Sequence, residues 1–355
     1  MLFAFRVDSA RMVGTGHLMR CLTLASALRE KGATCIFICR AHSTSLTDLV
    51  GKQGFTLYEL SQGTEPLTSD CLGVAKLQDA ENTKNIIQSL PEIPDWLVVD
   101  HYGIDEEWES ELRPYVKKIM VIDDLANRPH NCDILLDQNP NETYENYYQN
   151  LTPPSCVRLL GLEYLMLRPE FSETARKMHH PEVATNILIS IGGTDNKNVT
   201  CWILNIFRLL EIKLSIKVIL GPGYSYYNEV MKILPELNLH SIIVYKSVAK
   251  ISELMLEADM AIAGGGFTMY ELGFIGIPTL VITYSPTQLK IAKTLHQLRM
   301  TYFAGEFENL SVTEVKKALE SLLYSQAERL YISKSAQSKI KGSGVAKIIE
   351  RLYEN

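Results

Sequence analysis

The chain has 355 residues, 46% of them hydrophobic and 21% charged, which is enough for about two domain cores at the usual ~150 residues each. Such figures exclude a disordered chain, a collagen and a small disulfide scaffold. Lys and Arg number 35 against 41 Asp and Glu, so the basic excess of a general nucleic-acid binder is missing.

No apolar stretch reaches the ~20 residues that span a bilayer. Arg6 and Asp8 interrupt the N-terminal apolar run early, so a cytoplasmic protein without membrane insertion is expected. The seven cysteines are odd in number and scattered. Cys35 and Cys39 fall in a strand-like run and read as packing rather than as a metal pair.

In chain order, apolar runs predict strands over 3–7, 35–39, 55–60, 96–100, 119–123, 134–136 and 157–160. Helical patterns lie over 16–29, 72–90 and 105–116. This alternation indicates a parallel sheet covered on both faces. Residues 168–185 carry Pro169 and Pro181 and little apolar periodicity, as a linker would. Strands are then predicted over 186–191, 216–220, 242–245, 260–263 and 279–283, with helices between them and amphipathic helices over 314–323 and 345–353. The expected architecture is α/β, with two Rossmann-like, doubly wound parallel-sheet domains facing a central cleft. The first covers 1–168, a linker 169–185, and the second 186–355.

Ligands of open parallel sheets bind beyond the carboxyl ends of the strands, and three glycine loops fall there. The first, Gly14-Thr15-Gly16-His17 with Arg20 one turn on, follows the first strand and opens the first helix. Its glycines permit a tight turn and a close ligand approach, and His17 is a candidate general base. A plain capping turn is the alternative. The second loop, Gly192-Gly193-Thr194-Asp195, can either cap the next helix or receive an anion. The third, Gly264-Gly265-Gly266-Phe267-Thr268, follows a buried strand; three successive glycines suit a large ligand such as a diphosphate. Glu271, one turn further, can bond a ribose diol or merely complement the helix dipole. No loop has the Gly-x-x-x-x-Gly-Lys-Ser/Thr form, and Met19 breaks Gly-x-Gly-x-x-Gly, which disfavours ATPases and nicotinamide enzymes. Without His-Glu-x-x-His or clustered Cys and His, neither a metal nor a cofactor is expected.

Taken together, these loops resemble the GT-B nucleotide-sugar enzymes. The nearer likeness is to the UDP-2,4-diacetamido-2,4,6-trideoxy-β-L-altropyranose hydrolases of pseudaminic acid biosynthesis and related spore-coat polysaccharide proteins. Its markers are Arg6-Val7-Asp8, Gly14 to Cys21, Val99-Asp100-His101-Tyr102-Gly103, Ile122 to Ala126, Leu160-Gly161, Leu167 to Phe171 and the two later glycine loops. The resemblance implies removal of UDP from a diacetamido trideoxy sugar by water attacking the anomeric carbon with inversion. His17 would be the catalytic base, and Tyr102 would hold the water or sugar, with His101 as a competing candidate. Gly265, Gly266 and Thr268 would meet the diphosphate, and Glu271 the ribose. Gly14, Gly16, Arg20, Gly192, Gly193, Thr194 and Gln288 complete the expected substrate-binding set.

Phe267 stands where the family usually has serine, and Ser285-Pro286-Thr287 precede Gln288 where an acidic-Asn pair is usual. A glycosyltransferase differs only in that a sugar hydroxyl replaces the water; a non-catalytic nucleotide-sugar binder would be expected to lack His17. The expected partner is the UDP-sugar alone, with no nucleic acid and with the chain a monomer or weak dimer. The Tyr- and Asn-rich stretch 139–148 reads as a surface loop, with a substrate-contacting role as the alternative, and Asp123-Asp124, which resembles a paired-carboxylate metal or acid site, reads rather as a strand end capping the next turn.

Overall fold

The computed structural model describes residues 1–9, 15–42, 47–63, 72–140, 147–172, 174, 176–246, 248 and 250–354. The chain forms two units, Met1–Met166 with Ser343–Asn355, and Leu167–Gly342.

The first unit is built on seven strands: β1 (Leu2–Val7), β2 (Thr34–Arg40), β3 (Thr56–Leu60), β4 (Trp96–Asp100), β5 (Lys118–Ile122), β6 (Ile134–Asp137) and β7 (Val157–Leu160). They lie in the order β3-β2-β1-β4-β5-β6-β7, every pairing parallel. β1 and β4 are buried along their whole length, as strands with helices on both faces must be. One face packs Leu97, Val99, Ile119 and Leu135 against Trp108 and Leu112. The helix expected over 105–116 stops at Leu112 and continues as a 3₁₀ turn, Arg113–Tyr115, because Pro114 supplies no amide hydrogen.

The second unit holds β8 (Asn186–Ser190), β9 (Ser215–Leu220), β10 (Ser241–Lys246), β11 (Met260–Gly264), β12 (Thr279–Thr283) and β13 (Tyr302–Glu306). Their order is β10-β9-β8-β11-β12-β13, again all parallel. β13 was not expected from the pattern. It is an edge strand whose five residues are all half-buried, and its register shifts opposite Val281 and Ile282, so it carries no clear alternation.

The division of the chain also differs from the expectation. The segment 169–185 is bonded into the second unit: Phe171 and Ala184 are fully buried, and the Lys177 N–H donates to Ile275 O at 2.7 Å. The last helix, Gly344–Glu354, belongs with the first unit. It buries Ile348 and Leu352 and starts so close to Leu165 that a Cβ on Gly344 would lie 2.2 Å from that residue's carbonyl oxygen. An amphipathic pattern states that a helix will be covered but not by what.

The strand order of each sheet reverses once, between β1 and β4 in the first unit and between β8 and β11 in the second. Those two points are where an open parallel sheet offers its ligand crevice.

Candidate functional site

At the first switch point, α1 (Gly16–Glu30) follows β1 and carries His17 in its first turn, while β4 ends on Asp100. Asp100 is fully buried. Its Oδ1 lies 2.6 Å from His17 Nδ1 and accepts from Arg20 Nη2 at 2.6 Å; Oδ2 accepts from Arg20 Nε at 2.6 Å. Burial alone would raise the carboxyl, but Arg20 and then His17 overcome it and hold Asp100 well below the ordinary carboxylate range. A neutral His17 ring facing this carboxylate donates through Nδ1 and keeps its lone pair on Nε2.

Arg20 is only 6% exposed and spans two carboxylates. Nη1 donates to both oxygens of Asp124, at 2.9 and 2.8 Å. Asp124 also accepts the Tyr102 hydroxyl at 2.9 Å and Asn139 Nδ2 at 2.7 Å. Burial and the Asp124 carboxylate push the Tyr102 phenol well up, so it stays protonated. The Tyr102 ring stands edge-on to His17, with centroids 4.5 Å apart. His17 and Tyr102 are therefore brought together and tied to one network through Arg20. The expected substrate contact at Arg20 is not what this geometry presents, because its Nε, Nη1 and Nη2 are all spent on Asp100 and Asp124.

A further layer lies behind. Asn139 Nδ2 also donates to Asp137 at 2.9 Å, and the Tyr148 hydroxyl lies 3.0 Å from Asp123 Oδ2 and 3.2 Å from Asp137 Oδ2. Burial first, then the neighbouring Asp124, push Asp137 up to about 7. Asp123 caps the next turn by accepting from the Leu125 and Ala126 amides, as expected, and pairs with Arg128 at 2.8 Å. Asp124 instead faces the network. Most of the 139–148 stretch lies outside the described residues, but Asn139 and Tyr148 at its ends are buried, not surface residues.

His101 has different partners from His17. Its Nδ1 accepts the Gly103 N–H at 2.9 Å, and its Nε2 faces Asp8 at 3.4 Å. Burial lowers its pKa to about 4, so it is neutral and has no lone pair to offer a substrate. Asp8 anchors a separate buried cluster with Arg6, Arg40 and Asp79. Gly14 lies outside the described residues. A Cβ on Gly16 would meet nothing within 4 Å.

At the second switch point the three glycines at the end of β11 differ in what they face. A Cβ on Gly264 would lie 2.2 Å from Ile191 O, and one on Gly265 2.6 Å from Gln288 Cβ. On Gly266 it would meet nothing within 4 Å. The protein's own packing thus demands the first two glycines, and only Gly266 opens to space at the start of the helix Thr268–Ile275. In the loop after β8, Asp195 accepts from the Val199 and Thr200 amides at 2.8 and 2.9 Å and caps the helix Val199–Phe207, while Thr194 is buried. A Cβ on Gly192 would come within 3.2 Å of the Tyr284 hydroxyl, and one on Gly264 within 3.2 Å of Tyr284 Cε1. Tyr284, which the sequence did not single out, therefore packs against both glycine loops.

Ser285 caps the helix Pro286–Gln297 by accepting from Gln288 N, and Gln288 Oε1 accepts from Tyr284 N at 3.1 Å. Glu271 is 3% exposed and takes Arg168 Nε on its Oε1 at 2.6 Å. Among the described residues no cluster of His, Cys, Asp and Glu is arranged to hold a metal ion, and no helix is long and apolar enough to cross a membrane.

Chemically, the first unit presents a His–Asp pair beside a phenol, and the second an open glycine at a helix start with a buried carboxylate one turn in. Residues 186–352 match the glycosyltransferase family 28 C-terminal domain. An uncharacterized protein of Methanocaldococcus jannaschii is 28% identical over 318 residues, 85% of this chain and 62% of that protein. The UDP-2,4-diacetamido-2,4,6-trideoxy-β-L-altropyranose hydrolase of Campylobacter jejuni is 31% identical over 203 residues, 56% of this chain and 63% of the hydrolase. The matches span about three fifths of the length of these curated relatives. The fold is that of MurG from Acinetobacter baumannii, with a TM-score of 0.70 at 12% identity over 100% of this chain and 99% of that one. The chain is thus similar over 56% of its length to that hydrolase, and its second unit carries the match to the glycosyltransferase family 28 C-terminal domain on a fold shared with MurG.

Proposed function

We propose that the protein hydrolyses a UDP-linked 2,4-diacetamido-2,4,6-trideoxy sugar to UDP and the free sugar, with inversion at the anomeric carbon. The observation that carries this reading is the 2.6 Å contact of His17 Nδ1 with the buried Asp100 carboxylate, which leaves Nε2 as the base. Nε2 takes a proton from water as the water oxygen bonds to the anomeric carbon. The bond from that carbon to the diphosphate oxygen breaks, and UDP leaves with the electron pair. Asp100 stabilises the imidazolium that forms, and Tyr102, whose hydrogen goes to Asp124, keeps lone pairs with which to accept from the water or sugar. A positioned base is worth roughly 10²–10⁴ in rate. In the second unit, amides at Gly266 and the following helix start would take the diphosphate, and Glu271 the ribose.

The test is phosphorus and proton NMR of the protein with the UDP-linked diacetamido trideoxy-altrose and no acceptor. Hydrolysis yields UDP and free sugar of inverted configuration, and His17→Ala should abolish this while UDP still binds. Intact nucleotide sugar that is consumed only when a sugar acceptor is added would overturn the reading in favour of glycosyl transfer, to which the match with glycosyltransferase family 28 lends support.

A further inference from the structure

Glu271 is held by a side chain outside the glycine loops. Arg168 Nε donates to Glu271 Oε1 at 2.6 Å, and its Nη1 stands 3.0 Å from Glu170 Oε1. The guanidinium carbon lies 5.3 Å from the centre of the Phe171 ring. Glu170 is itself fixed, because its Oε2 accepts the Ser252 N–H at 3.1 Å in the first turn of the helix Ile251–Leu256. Arg168 is thus gripped by two carboxylates and a ring face, and it meets Glu271 from one side only. Arg168 engages Oε1 of Glu271, a residue only 3% exposed.

We propose that Arg168 is a positioning residue for the nucleotide: it turns the Glu271 carboxylate so that Oε2 meets the vicinal hydroxyls of a ribose. The inference rests on the reading of the second unit as the UDP-binding one. Burial disfavours the ionised form of Glu271, and Arg168 is the cation that opposes it, so the same ion pair sustains the acceptor's charge. The planar fork of an arginine can divide itself between Glu271 and Glu170; a lysine ammonium would serve them as a point charge without fixing the plane.

The experiment measures the affinity of the full chain for UDP and for 2′-deoxy-UDP by titration calorimetry, in Glu271→Gln, Arg168→Gln, Arg168→Lys and the double glutamine variant. Glu271→Gln tests the underlying reading. It should weaken UDP roughly 10- to 100-fold, the cost of a hydrogen bond to a charged group, and 2′-deoxy-UDP far less. Arg168→Gln should lose the same preference for UDP, Arg168→Lys should recover part of it, and the double variant should be no worse than either single one. The ratio of the two affinities is the readout because a partly unfolded preparation leaves it unchanged. Equal weakening of both nucleotides in Arg168→Gln, or losses that add in the double variant, would overturn the positioning role. No change in either affinity in Glu271→Gln would overturn the ribose contact itself and the inference with it.

Discussion

Replacing Asp100 by asparagine removes one charge from a fully buried site and leaves its shape nearly intact. The amide can sit in two ways. With its oxygen at the Oδ1 position it still accepts from His17 and Arg20 Nη2, but its NH₂ then faces Arg20 Nε across 2.6 Å, donor against donor. Turned over, the NH₂ faces His17 Nδ1 and forces the ring proton onto Nε2, so the base loses its lone pair. Either way the imidazolium formed in the reaction loses its counter-ion and keeps Arg20, whose Nη2 is 3.2 Å from Nδ1, as an unbalanced neighbour. Charges about 4 Å apart interact by about 4 kcal/mol at an effective dielectric of 20. At about 1.4 kcal/mol per decade that is roughly 10³ in rate. Asp100→Asn should therefore lower kcat on the UDP-sugar by roughly 10²–10⁴, the span assigned to a general base, while UDP affinity by calorimetry stays as in the native protein. A kcat within tenfold of native in a variant that melts normally would refute the dyad, as would a loss confined to KM.

Asp79 is fully buried and accepts from Arg6 Nη2 at 2.7 Å, Arg40 Nη2 at 2.6 Å and Trp108 Nε1 at 3.1 Å. Asp79→Ala strands Arg40 and should cost about 3–5 kcal/mol, seen in scanning calorimetry as a fall of roughly 6–20 °C in the melting of the first unit. Gly264→Ala would press a methyl group onto Ile191 O and should lower the melting temperature of the second unit, whereas Gly266→Ala should melt normally and bind UDP more weakly; the reverse pattern would exclude Gly266 as the ligand-facing glycine. Asp137 has a folded pKa raised to about 7 against an unfolded value near 4. The folded state then holds an extra proton between those values, so stability should fall as pH rises from about 4 to 7. Asp137→Asn should flatten that part of a plot of melting temperature against pH, and an unchanged slope would assign it to other groups.

The fold was legible wherever burial on both faces left a continuous apolar run, as at Phe3, Phe5, Val98 and Val99, because such strands need no partner to be recognised. It was not legible at β13, where an edge position removes the apolar alternation, nor was the unit that the helix Gly344–Glu354 joins, because an apolar stripe does not name what covers it. The site divided in the same way. His17, Tyr102 and the glycine loops announced themselves by residue type and by their place after a strand. The roles of Asp100, Asp124, Asn139 and Arg168 did not, because what they do depends on partners 80, 15 or 103 residues away in sequence.

Arg20 shows why residue type misleads at such a site. An arginine one turn into a helix that follows a glycine loop suggests an anion contact, and composition alone cannot distinguish that from a structural role. Two carboxylates at β-strand ends decide the matter here. Asp100 terminates β4 and Asp124 follows β5, so the parallel order β1-β4-β5 sets both beside the first turn of α1. A guanidinium between them costs little to bury, because both of its edges are met by charge. The same carboxylates fix His17 on one side and Tyr102 on the other. The spacing of His17 and Tyr102 thus follows from the strand order of the sheet.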